Sequence, residues 1–593
     1  MSAIAKSGRW REALSLRDRM LADGLKADSY TFSALIEACS KAGEVDRALE
    51  LLHQMGDDGV ARDAFSYNAA MHGYGRTGDW KRAMDLLQDM RHSGLQPDLV
   101  SYSTVLAACG KAGEWKRGKI VMAEMRADGI APNVFSFGSL INACGKGGRW
   151  ELAVETLEEM RQSGLVPNGH NWSTAIDACG KAGKWQEALN LLAELEASAE
   201  GRGAVRLSTT MYNFALDACA RAGKWGQGAV ILERMKNNTH TLPDAMTYAK
   251  LIDACAKDEK WEQAVSYLDE MRDARIAPTI FAYNAALSAC GKCGRWKEAL
   301  AVLEAMPKAG IAPDVFSFNG AIDACGKGGE WTRSLILLEN MDKAGVAPNE
   351  VSYNTALDAC SKGGRADRAM ELLKQMELNG IEPGLISFNA VIDACARGAD
   401  HVGAAELLEE MRARGMRPNT ISYNSVIYAC GRGGEWQLAL DLLDGMRKSG
   451  LVPDAFSFNT AIAACARGGD WQRALDLLAG MRVEGATPDI FSYNAAIGAC
   501  AKAGQWRIGL ELLAKVREDP TLEATERTYT AAINCFQQYT AGKAAASLAS
   551  TLAGFDPPAD MFLISPPPTI AIVDQSPSKP LKSVDSDDAD QIG

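Results

Sequence analysis

Apolar residues recur along this chain with a period of 35 residues, and each period contains two stretches with helical spacing. In the period that begins at Leu99, the residues Tyr102, Leu106 and Cys109 fall on one face of a helix. A second stretch begins at Trp115, and its apolar residues also recur at helical spacing. Each period therefore predicts a pair of helices.

The ends of both helices are marked by residues that cap or interrupt a helix. Ser101 is the predicted N-cap of the first helix, and the glycine of "KAG" separates the first helix from the second. The segment "GIAPN" ends the second helix, because a glycine follows its last turn and proline cannot continue it.

The periodic pattern divides the chain into four parts. Residues 1–28 form a partial repeat, 29–525 hold fourteen complete repeats, 526–555 form a degenerate repeat or cap, and 556–593 form an acidic tail that we expect to be disordered. Repeat 1 begins at Ser29, which defines position 1, and eleven repeats are 35 residues long. Repeats 5, 6 and 14 have 40, 36 and 36 residues, and the extra residues of repeat 5 lie in a loop-like stretch.

Neither helix of a pair can bury its apolar face alone, so successive repeats must stack side by side. We therefore predict an all-α fold in a monomeric protein. The expected architecture is a right-handed α-solenoid, a superhelix of stacked helix-turn-helix repeats.

Cysteine is the first candidate for chemistry, since fourteen of the fifteen cysteines occupy position 11 and only Cys293 lies elsewhere. Metal binding and disulfide formation require cysteines to converge. Stacked helices are about 8–10 Å apart, whereas a disulfide needs Cα atoms within about 7 Å. One cysteine per repeat therefore indicates core packing, and so many free thiols indicate a reducing compartment.

Tryptophan and methionine have the same interpretation. Twelve of the thirteen tryptophans open the second helix at position 17, where packing on a neighbouring helix is favoured over base stacking. Methionine at position 27 is likewise interpreted as core. We predict no metal and no cofactor.

No arrangement of residues indicates an enzyme. The six histidines share no repeat position, and no Cys-x-x-Cys, phosphate-binding glycine loop or nucleophile elbow occurs. The composition, 47% hydrophobic and 23% charged, is that of a globular protein, and no apolar run is long enough to span a membrane. We expect a binding protein.

Position 13 is Lys or Arg in all fourteen repeats. The net charge of −12 argues against a nucleic-acid partner, but the acids segregate onto the second helices, and stacking would place the position-13 cations in one row. A polymer with one phosphate per residue could contact such a row. Each cation would also be favoured at the C-terminal end of its helix, where it compensates the helix dipole and contributes about 0.3–1 kcal/mol. The candidate phosphate-contacting residues are Lys41, Arg76, Lys111, Lys146, Lys181, Arg221, Lys257, Lys292, Lys327, Lys362, Arg397, Arg432, Arg467 and Lys502.

Positions 5 and 35 carry a second polar pattern. Position 5 is Asn in nine repeats, although Asn is a mediocre helix former and the predicted cap is position 3. Position 35 is Asp or Asn in ten repeats. Asp or Asn after a proline is typical of a turn, which is one explanation of position 35. The other is recognition of base edges by the position-5 amide together with a position-35 side chain that accepts or donates hydrogen bonds.

These features resemble the pentatricopeptide repeat family, in its plain class of uniform repeats. The resemblance rests on segments such as "SYNAAMHGYGRTGDWKRAMDLLQDMRHSGLQPD" (66–98), in which an aromatic residue precedes Asn and the end reads G-x-x-P-D/N, and it covers about residues 1–555. It implies sequence-specific binding of single-stranded RNA, one base per repeat. Positions 5 and 35 would contact the base edge, position 2 would sandwich the base, and basic groups would contact phosphate.

The residues to which the resemblance assigns these roles form two sets. The implied base-reading residues are Ser33, Asp63, Asn68, Asp98, Ser103, Asn133, Asn213, Asp244, Asn284, Asp314, Asn319, Asn349, Asn389, Asn419, Asn424, Asp454, Asn459, Asp489 and Asn494. The implied base-sandwiching residues are Phe65, Val100, Phe135, Phe281, Phe316, Val351, Ile386, Ile421, Phe456 and Phe491.

The family's code converts these pairs into a pyrimidine-rich site. Asn with Asp implies U in repeats 2, 6, 8, 12 and 13, and Asn with Asn implies C, or more loosely a pyrimidine, in repeats 9 and 11. Ser with Asn implies A in repeat 3, Ser with Asp implies G weakly in repeat 1, and repeat 14 is weak. The site is (G)-U-A-n-n-U-n-U-C-n-C-U-U-y from 5′ to 3′. The bases of four repeats stay undetermined, those of Gly138/Asn168, Ser173/Ser208, Ala249/Thr279 and Asn354/Gly384.

The resemblance also implies a role in organellar RNA metabolism, by passive occupancy that aids stabilisation, processing, splicing or translation, with recruited processing factors as further partners. Chloroplast or mitochondrion is the expected location. The chain begins within a repeat and shows no transit peptide, and a truncated N-terminus would explain both facts. The alternative function is a solenoid scaffold that binds a peptide in its groove.

Overall fold

The structure is a computed structural model that describes residues 9–198, 207–238, 241–519 and 521–537. The predicted tail at 556–593 and most of the predicted cap at 526–555 lie outside these ranges. Within the described ranges the chain forms thirty α-helices and no strand.

Two kinds of helix alternate along the chain. The first helices of the repeats carry even numbers and are α2 (Ser29–Ala42), α4 (Ala64–Thr77), α6 (Leu99–Ala112), α8 (Val134–Lys146), α10 (Gly169–Lys181), α12 (Thr209–Arg221), α14 (Ala245–Lys257), α16 (Ile280–Lys292), α18 (Val315–Lys327), α20 (Glu350–Lys362), α22 (Leu385–Gly398), α24 (Thr420–Gly433), α26 (Ala455–Gly468), α28 (Ile490–Lys502) and α30 (Glu526–Gln537). The second helices carry odd numbers and are α1 (Trp10–Ala22), α3 (Val45–Asp57), α5 (Trp80–His92), α7 (Trp115–Ala127), α9 (Trp150–Gln162), α11 (Trp185–Ser198), α13 (Trp225–Asn237), α15 (Trp261–Asp273), α17 (Trp296–Lys308), α19 (Trp331–Lys343), α21 (Ala366–Leu378), α23 (His401–Ala413), α25 (Trp436–Lys448), α27 (Trp471–Val483) and α29 (Trp506–Glu518).

The first helices begin three residues earlier than predicted, and their cap is a different residue. Helix α6 starts at Leu99, and its N-cap is Asp98, whose carboxylate accepts from the Ser101 backbone N–H at 2.9 Å. The Ser101 hydroxyl lies 3.2 Å from the Asp98 backbone N–H and accepts from it, which closes a reciprocal capping box. The prediction that position 3 is the N-cap is wrong, because position 3 already lies inside the helix.

The second helices end as the sequence pattern predicts. Gly129 adopts a left-handed conformation (φ 75°) after α7, which lets the Ile130 N–H donate to the Met125 carbonyl at 3.0 Å. The chain then reaches the cap of the next first helix within a few residues.

Each first helix stacks on the first helix of the next repeat, and each second helix packs between two first helices. The buried side chains are those of the predicted apolar pattern, such as Tyr102, Leu106, Cys109 and Met125 in repeat 3. Second helices meet through side-chain ion pairs, for example Arg126 with Glu159 at 2.6 Å. The predicted all-α solenoid is confirmed.

The cysteines and tryptophans pack as predicted. Fourteen of the fifteen cysteines are buried, all are free, and burial raises the pKa of Cys109 to about 11. Eleven of the twelve tryptophans at position 17 pack against the core. Trp115 is covered by the Arg149 guanidinium of the next repeat, 5.3 Å from the ring centre. None of the helices in the described ranges combines the length and the apolarity needed to cross a membrane.

We expect the native protein to show one rapidly reacting thiol, that of the half-buried Cys293. The position-11 thiols are enclosed and their raised pKa opposes thiolate formation, so they should react only after unfolding. Titration with Ellman's reagent, with and without denaturant, measures both populations. Cys293→Ser should abolish the fast reaction. Several fast thiols in the native protein would contradict the placement of position 11 in the core.

Candidate nucleic-acid interface

An apolar row remains exposed on the first helices at position 2. All ten residues predicted to sandwich bases are exposed, with values up to 76% at Phe316. Tyr30, His170 and Met246 occupy the same position in their repeats and are also exposed, although the prediction omitted them. All three residues can be identified from the sequence, because the 35-residue period places them at position 2. A regular row of exposed apolar side chains is typical of a binding surface.

Next to this row, side chains of adjacent repeats form a hydrogen-bonded junction. At the boundary of repeats 2 and 3, the Asn68 Nδ2 group donates to both carboxylate oxygens of Asp98, at 3.1 and 3.2 Å. The Ser101 hydroxyl donates to Asn68 Oδ1 at 2.6 Å. Positions 5 and 35 of one repeat and position 3 of the next therefore act as a unit.

The same junction recurs along the array. Asn Nδ2 donates to the Asp carboxylate at 3.0–3.4 Å in the pairs Asn213/Asp244, Asn284/Asp314, Asn424/Asp454 and Asn459/Asp489. Asn389 donates to Asn419 Oδ1 at 3.4 Å. The hydroxyl at position 3 of the next repeat completes the junction in repeats 6, 8, 11 and 13 by donating to the Asn oxygen. Ser387 makes the same contact with Asn354 in repeat 10, where position 35 is Gly384. The sequence predicts position 3 as a helix cap and gives no sign of its contact with position 5 of the preceding repeat.

Four predicted pairs are not joined in this way. Within the described residues no hydrogen bond links Ser33 with Asp63, Ser103 with Asn133, Asn319 with Asn349, or Asn494 with Thr525. Both serines are buried: Ser33 is 2% exposed, and Ser103, which is 8% exposed, contacts the Ser136 hydroxyl at 3.1 Å. The amide oxygens of Asn319, Asn424 and Asn494 are buried and unpaired among the described atoms.

At two of these junctions the hydrogen bonds favour the ionised form of the position-35 carboxyl. Burial would raise the pKa of Asp98, but hydrogen bonds from the Ser101 backbone, the Ser101 hydroxyl and the Asn68 amide outweigh it and lower the pKa below its ordinary value. Asp244 has the same opposing influences and the same lowered pKa. The carboxylates of Asp98 and Asp244 are therefore acceptors at neutral pH.

The cations at position 13 do not form a uniform basic row. In seven repeats an acid one turn earlier, at position 9, forms an ion pair with the cation at 2.6–2.9 Å. These acids are Glu37, Asp177, Asp217, Asp253, Asp323, Asp358 and Asp393. The expectation that acids segregate onto the second helices is therefore wrong for half of the repeats.

Where position 9 is not acidic, the cation often contacts the preceding repeat. Arg76 donates to the Lys41 carbonyl, Lys146 to the Lys111 carbonyl at 3.1 Å, and Arg432 to the Arg397 carbonyl. These carbonyls lie at the C-terminal ends of first helices, so the cations compensate the dipole of the neighbouring repeat. Phosphate contact and dipole compensation thus remain compatible.

Beyond repeat 1, in which Lys41 is paired with Glu37, the pairing divides the array into three electrostatic segments. Repeats 2–4 and repeats 12–14 have no acid at position 9, whereas repeats 5–11 have one in all but repeat 8. The cations of both outer segments are therefore not neutralised by a position-9 acid, and most of those in the middle are.

The fold and the junction define a tandem helical repeat protein with a row of polar junctions beside an exposed apolar row. Four family models match the chain in successive stretches. The match to "Pentacotripeptide-repeat region of PRORP" covers 1–174, and that to "Pentatricopeptide repeat domain" covers 241–293 and 336–398. "PPR repeat family" matches 278–327, 383–432, 418–467 and 453–502, and "PPR repeat" matches 171–198, 210–239, 316–346 and 491–520. The chain belongs to the pentatricopeptide repeat family.

Solved structures show the same fold. The crystal structure of the pentatricopeptide repeat protein PPR10 from maize is similar over 93% of this chain and 88% of that chain, with a TM-score of 0.61 and 24% identity. The structure of PPR10 in complex with an 18-nt psaJ RNA element is similar over 94% of this chain and 84% of that chain, with a TM-score of 0.58 and 23% identity. No curated protein matches this chain in sequence.

Replacing Asp98 should separate its capping role from its charge. Asp98→Ala should weaken the start of α6 by about 1 kcal/mol and speed amide exchange there about fivefold, whereas Asp98→Asn should keep the cap. Hydrogen exchange monitored by mass spectrometry on the segment 99–104 tests both variants.

The lowered pKa sets the sign of the pH effect on this junction. Because the pKa of Asp98 is lower in the folded chain, its stabilisation is present above the unfolded-state value and is lost as pH falls through the folded value. Equal exchange in Asp98→Ala and wild type at neutral pH would contradict the capping role.

Proposed function

We propose that this chain binds single-stranded RNA in a sequence-specific manner, one base per repeat. The observation that carries the proposal is the repeated pairing of a position-5 amide with a position-35 cap beside an exposed position-2 side chain. Repeats of this family are a known means of reading RNA bases with two or three side chains each. The likeness to PPR10, which is described in complex with RNA, gives further support.

The hydrogen-bond donor and acceptor that the Asn/Asp junction leaves unused are complementary to uracil. One N–H of the Asn459 amide is directed to Asp489, at 3.0 Å, and its oxygen accepts from the Ser492 hydroxyl at 2.5 Å. One amide N–H and the remaining carboxylate lone pairs are left for a ligand. Uracil presents an N3–H donor beside a carbonyl acceptor, so the carboxylate accepts from N3–H and the amide donates to the carbonyl.

Asn at position 35 reverses this preference. The Oδ1 of Asn349 accepts from the Ser352 backbone N–H at 3.0 Å, and that of Asn419 does the same at 3.0 Å. With the oxygen held by the helix start, the Nδ2 group offers hydrogen-bond donors. A donor favours a base whose ring nitrogen carries a lone pair, as in cytosine, and disfavours the N3–H of uracil. Repeats 9 and 11 would therefore take C.

The exposed row at position 2 provides the stacking surface. Side chains such as Phe281 and Phe316, 75% and 76% exposed, come from successive repeats. A base held between them would lose water from both faces, and such stacking contributes about 1–3 kcal/mol per base.

The proposed cellular role follows from the binding mode. Tight occupancy of a pyrimidine-rich segment would block exonucleases or mark a processing, splicing or translation site, with other factors supplying any chemistry. Family resemblance supports placing this role in a chloroplast or mitochondrion.

The main test is a fluorescence titration of RNAs that carry the proposed site. We expect the proposed RNA to bind more tightly than one with its U and C positions exchanged, and more tightly than the corresponding DNA. Asp489→Asn should keep the cap of α28 and change the preference of repeat 13 from U to C by about tenfold.

The matched control is Asp454→Asn in repeat 12, which should change the preference for the preceding nucleotide and no other. Equal binding of all the nucleic acids would contradict base reading. Binding to none of them would contradict the RNA proposal and favour a peptide-binding scaffold.

Removing the position-9 acids should strengthen RNA binding. In the variant Asp323→Ala, Asp358→Ala and Asp393→Ala, three cations now held in ion pairs become available to phosphate. The plot of log affinity against log salt should steepen by about 2, since each phosphate contact on a single strand contributes about 0.7.

The control variant removes three exposed acids of the second helices, Glu304, Glu339 and Glu406, with the same change in net charge. Its salt dependence should stay near that of the wild type. An identical slope in both variants would show that net charge alone, and not the position-9 pairing, controls the interaction.

A further inference from the structure

The loops that join the first helix of a repeat to the second lie at one edge of the helix stack, and in repeats 2–4 this edge is basic. Positions 12–21 of these repeats, residues 75–84, 110–119 and 145–154, hold nine Lys or Arg and three Asp or Glu. The same positions of repeats 12–14 hold five cations and two acids. All nine cations of repeats 2–4 are exposed. We call this surface the edge patch.

Acids neutralise few of the cations in the edge patch. Arg82 forms an ion pair with Asp46 and another, at 3.6 Å, with Asp79. Within the described residues the other eight cations form no ion pair. Repeats 2–4 also have no acid at position 9. The edge patch is therefore a concentration of positive charge in a chain whose net charge is −12.

The cations of the edge patch form two rows. The inner row is position 13, at the ends of the first helices, where Lys146 donates to the Lys111 carbonyl at 3.1 Å. The outer row comprises the six cations at positions 16–21, where the second helices begin. Position 13 lies on the same helix face as positions 2, 5 and 9, so only the inner row shares the surface proposed to hold bases.

Tryptophan rings hold the outer row in place. Trp80 is covered by Lys81 of its own helix and by Arg117 of the next repeat. Trp115 is covered in the same way, by Lys116 and Arg149. All four charged groups lie 5.3–5.8 Å from a ring centre, and their side chains remain exposed. Cation–π contact therefore fixes the position of these charges without removing them from solvent.

The number of cations exceeds what a strand in the groove needs. A strand bound with one base per repeat brings one phosphate to each of repeats 2–4, and the inner row offers one cation to each. The six cations of the outer row are then surplus to the groove-bound strand. They are available to phosphates of nucleotides outside the site.

We propose that the outer row of the edge patch binds the phosphate backbone of RNA on the 5′ side of the site. This inference rests on the proposed function, in which the first repeats hold the 5′ end of the site. A strand that leaves the groove at repeat 1 reaches the edge patch at the next repeat. The contact is independent of sequence, because Lys and Arg bind phosphate oxygens there and not base edges. The protein thus binds more nucleotides than it has repeats.

The test measures the salt dependence of affinity for three RNAs by fluorescence anisotropy with the full chain. One RNA is the proposed site alone, and the other two carry about eight unstructured nucleotides at the 5′ or the 3′ end. About four added phosphate contacts should steepen the plot of log affinity against log salt by about 3 for the 5′-extended RNA. The 3′ extension should leave the slope unchanged. A 5′ extension of different sequence should give the same gain.

A triple variant removes part of the outer row. Lys81→Gln, Lys116→Gln and Lys119→Gln should together lower the slope for the 5′-extended RNA by about 2. The slope for the site alone should stay at the wild-type value, since the inner row is intact. Glutamine is as good a helix former as lysine, so the second helices should persist. Helix content and melting temperature check the fold.

The matched control makes the same change in net charge away from the edge patch. It replaces three exposed lysines of other second helices, which form no ion pair among the described residues: Lys308→Gln, Lys374→Gln and Lys448→Gln. Neither slope should change in the control. An equal loss of slope in both triple variants would overturn the edge patch, because net charge alone would then explain the effect.

A gain of binding can be tested at the other end of the array. Gln437 and Gln472 are exposed and follow Trp436 and Trp471, as Lys81 and Lys116 follow their tryptophans. Gln437→Lys with Gln472→Lys should steepen the slope for the 3′-extended RNA by about 1 and leave that for the site alone unchanged. An unchanged slope for the 3′-extended RNA would contradict the role assigned to a cation beside this tryptophan.

The outcomes separate this inference from the function on which it rests. Equal slopes for the site and the 5′-extended RNA, with discrimination against the U/C-exchanged site retained, would overturn the edge patch and keep the proposed function. A gain from the 3′ extension as large as that from the 5′ extension would also overturn the edge patch. Failure to bind any of the three RNAs would overturn both.

Discussion

The residue at position 35 is the point on which most repeat boundaries depend. Its side chain ends the loop from one repeat by capping the first helix of the next, as Asp98 does for α6. The same carboxylate holds the Asn68 amide of its own repeat. Helix start, repeat spacing and polar surface are thus fixed by one set of hydrogen bonds, and the helix stack buries the apolar faces behind it.

Because the position-35 side chain both caps a helix and holds the position-5 amide, the polar side chains of the junction are fixed before any ligand binds. The Asn68 oxygen is held by Ser101 and its nitrogen by Asp98, so little rotamer freedom is left to lose on binding. The remaining donor and acceptor are therefore presented in a fixed arrangement. Substitution between Asp and Asn changes the acceptor into a donor without removing the cap, which allows one scaffold to present different polar patterns.

The position-13 cations differ along the array in whether an acid pairs with them, and the net charge of −12 does not reveal this difference. Lys327, Lys362 and Arg397 are neutralised by acids one turn away, while Arg76 and Lys146 instead bind helix carbonyls. Exposed ion pairs of this kind contribute little stability, about 0.3–0.5 kcal/mol each. Their larger effect is on the local charge, because a position-9 acid pairs the cation in repeats 5–7 and 9–11 but not in repeats 2–4 and 12–14.

The sequence predicts the solenoid, the buried cysteines and the exposed position-2 row because these follow from a period repeated fourteen times. It misplaces the cap, since Ser101 and Asp98 are both good capping residues and only the helix start at Leu99 distinguishes them. The contact between Asn68 and Ser101 crosses a repeat boundary, so it is not visible in a pattern within one repeat.

The most direct test of the account is an unbiased selection of RNA from a random pool by the purified full chain, followed by sequencing. The account expects an enriched motif with U, U–C, C and U–U at the spacing set by repeats 2, 6, 8, 9, 11, 12 and 13. Enrichment of a motif without that spacing, or of no motif at all, would contradict one base per repeat.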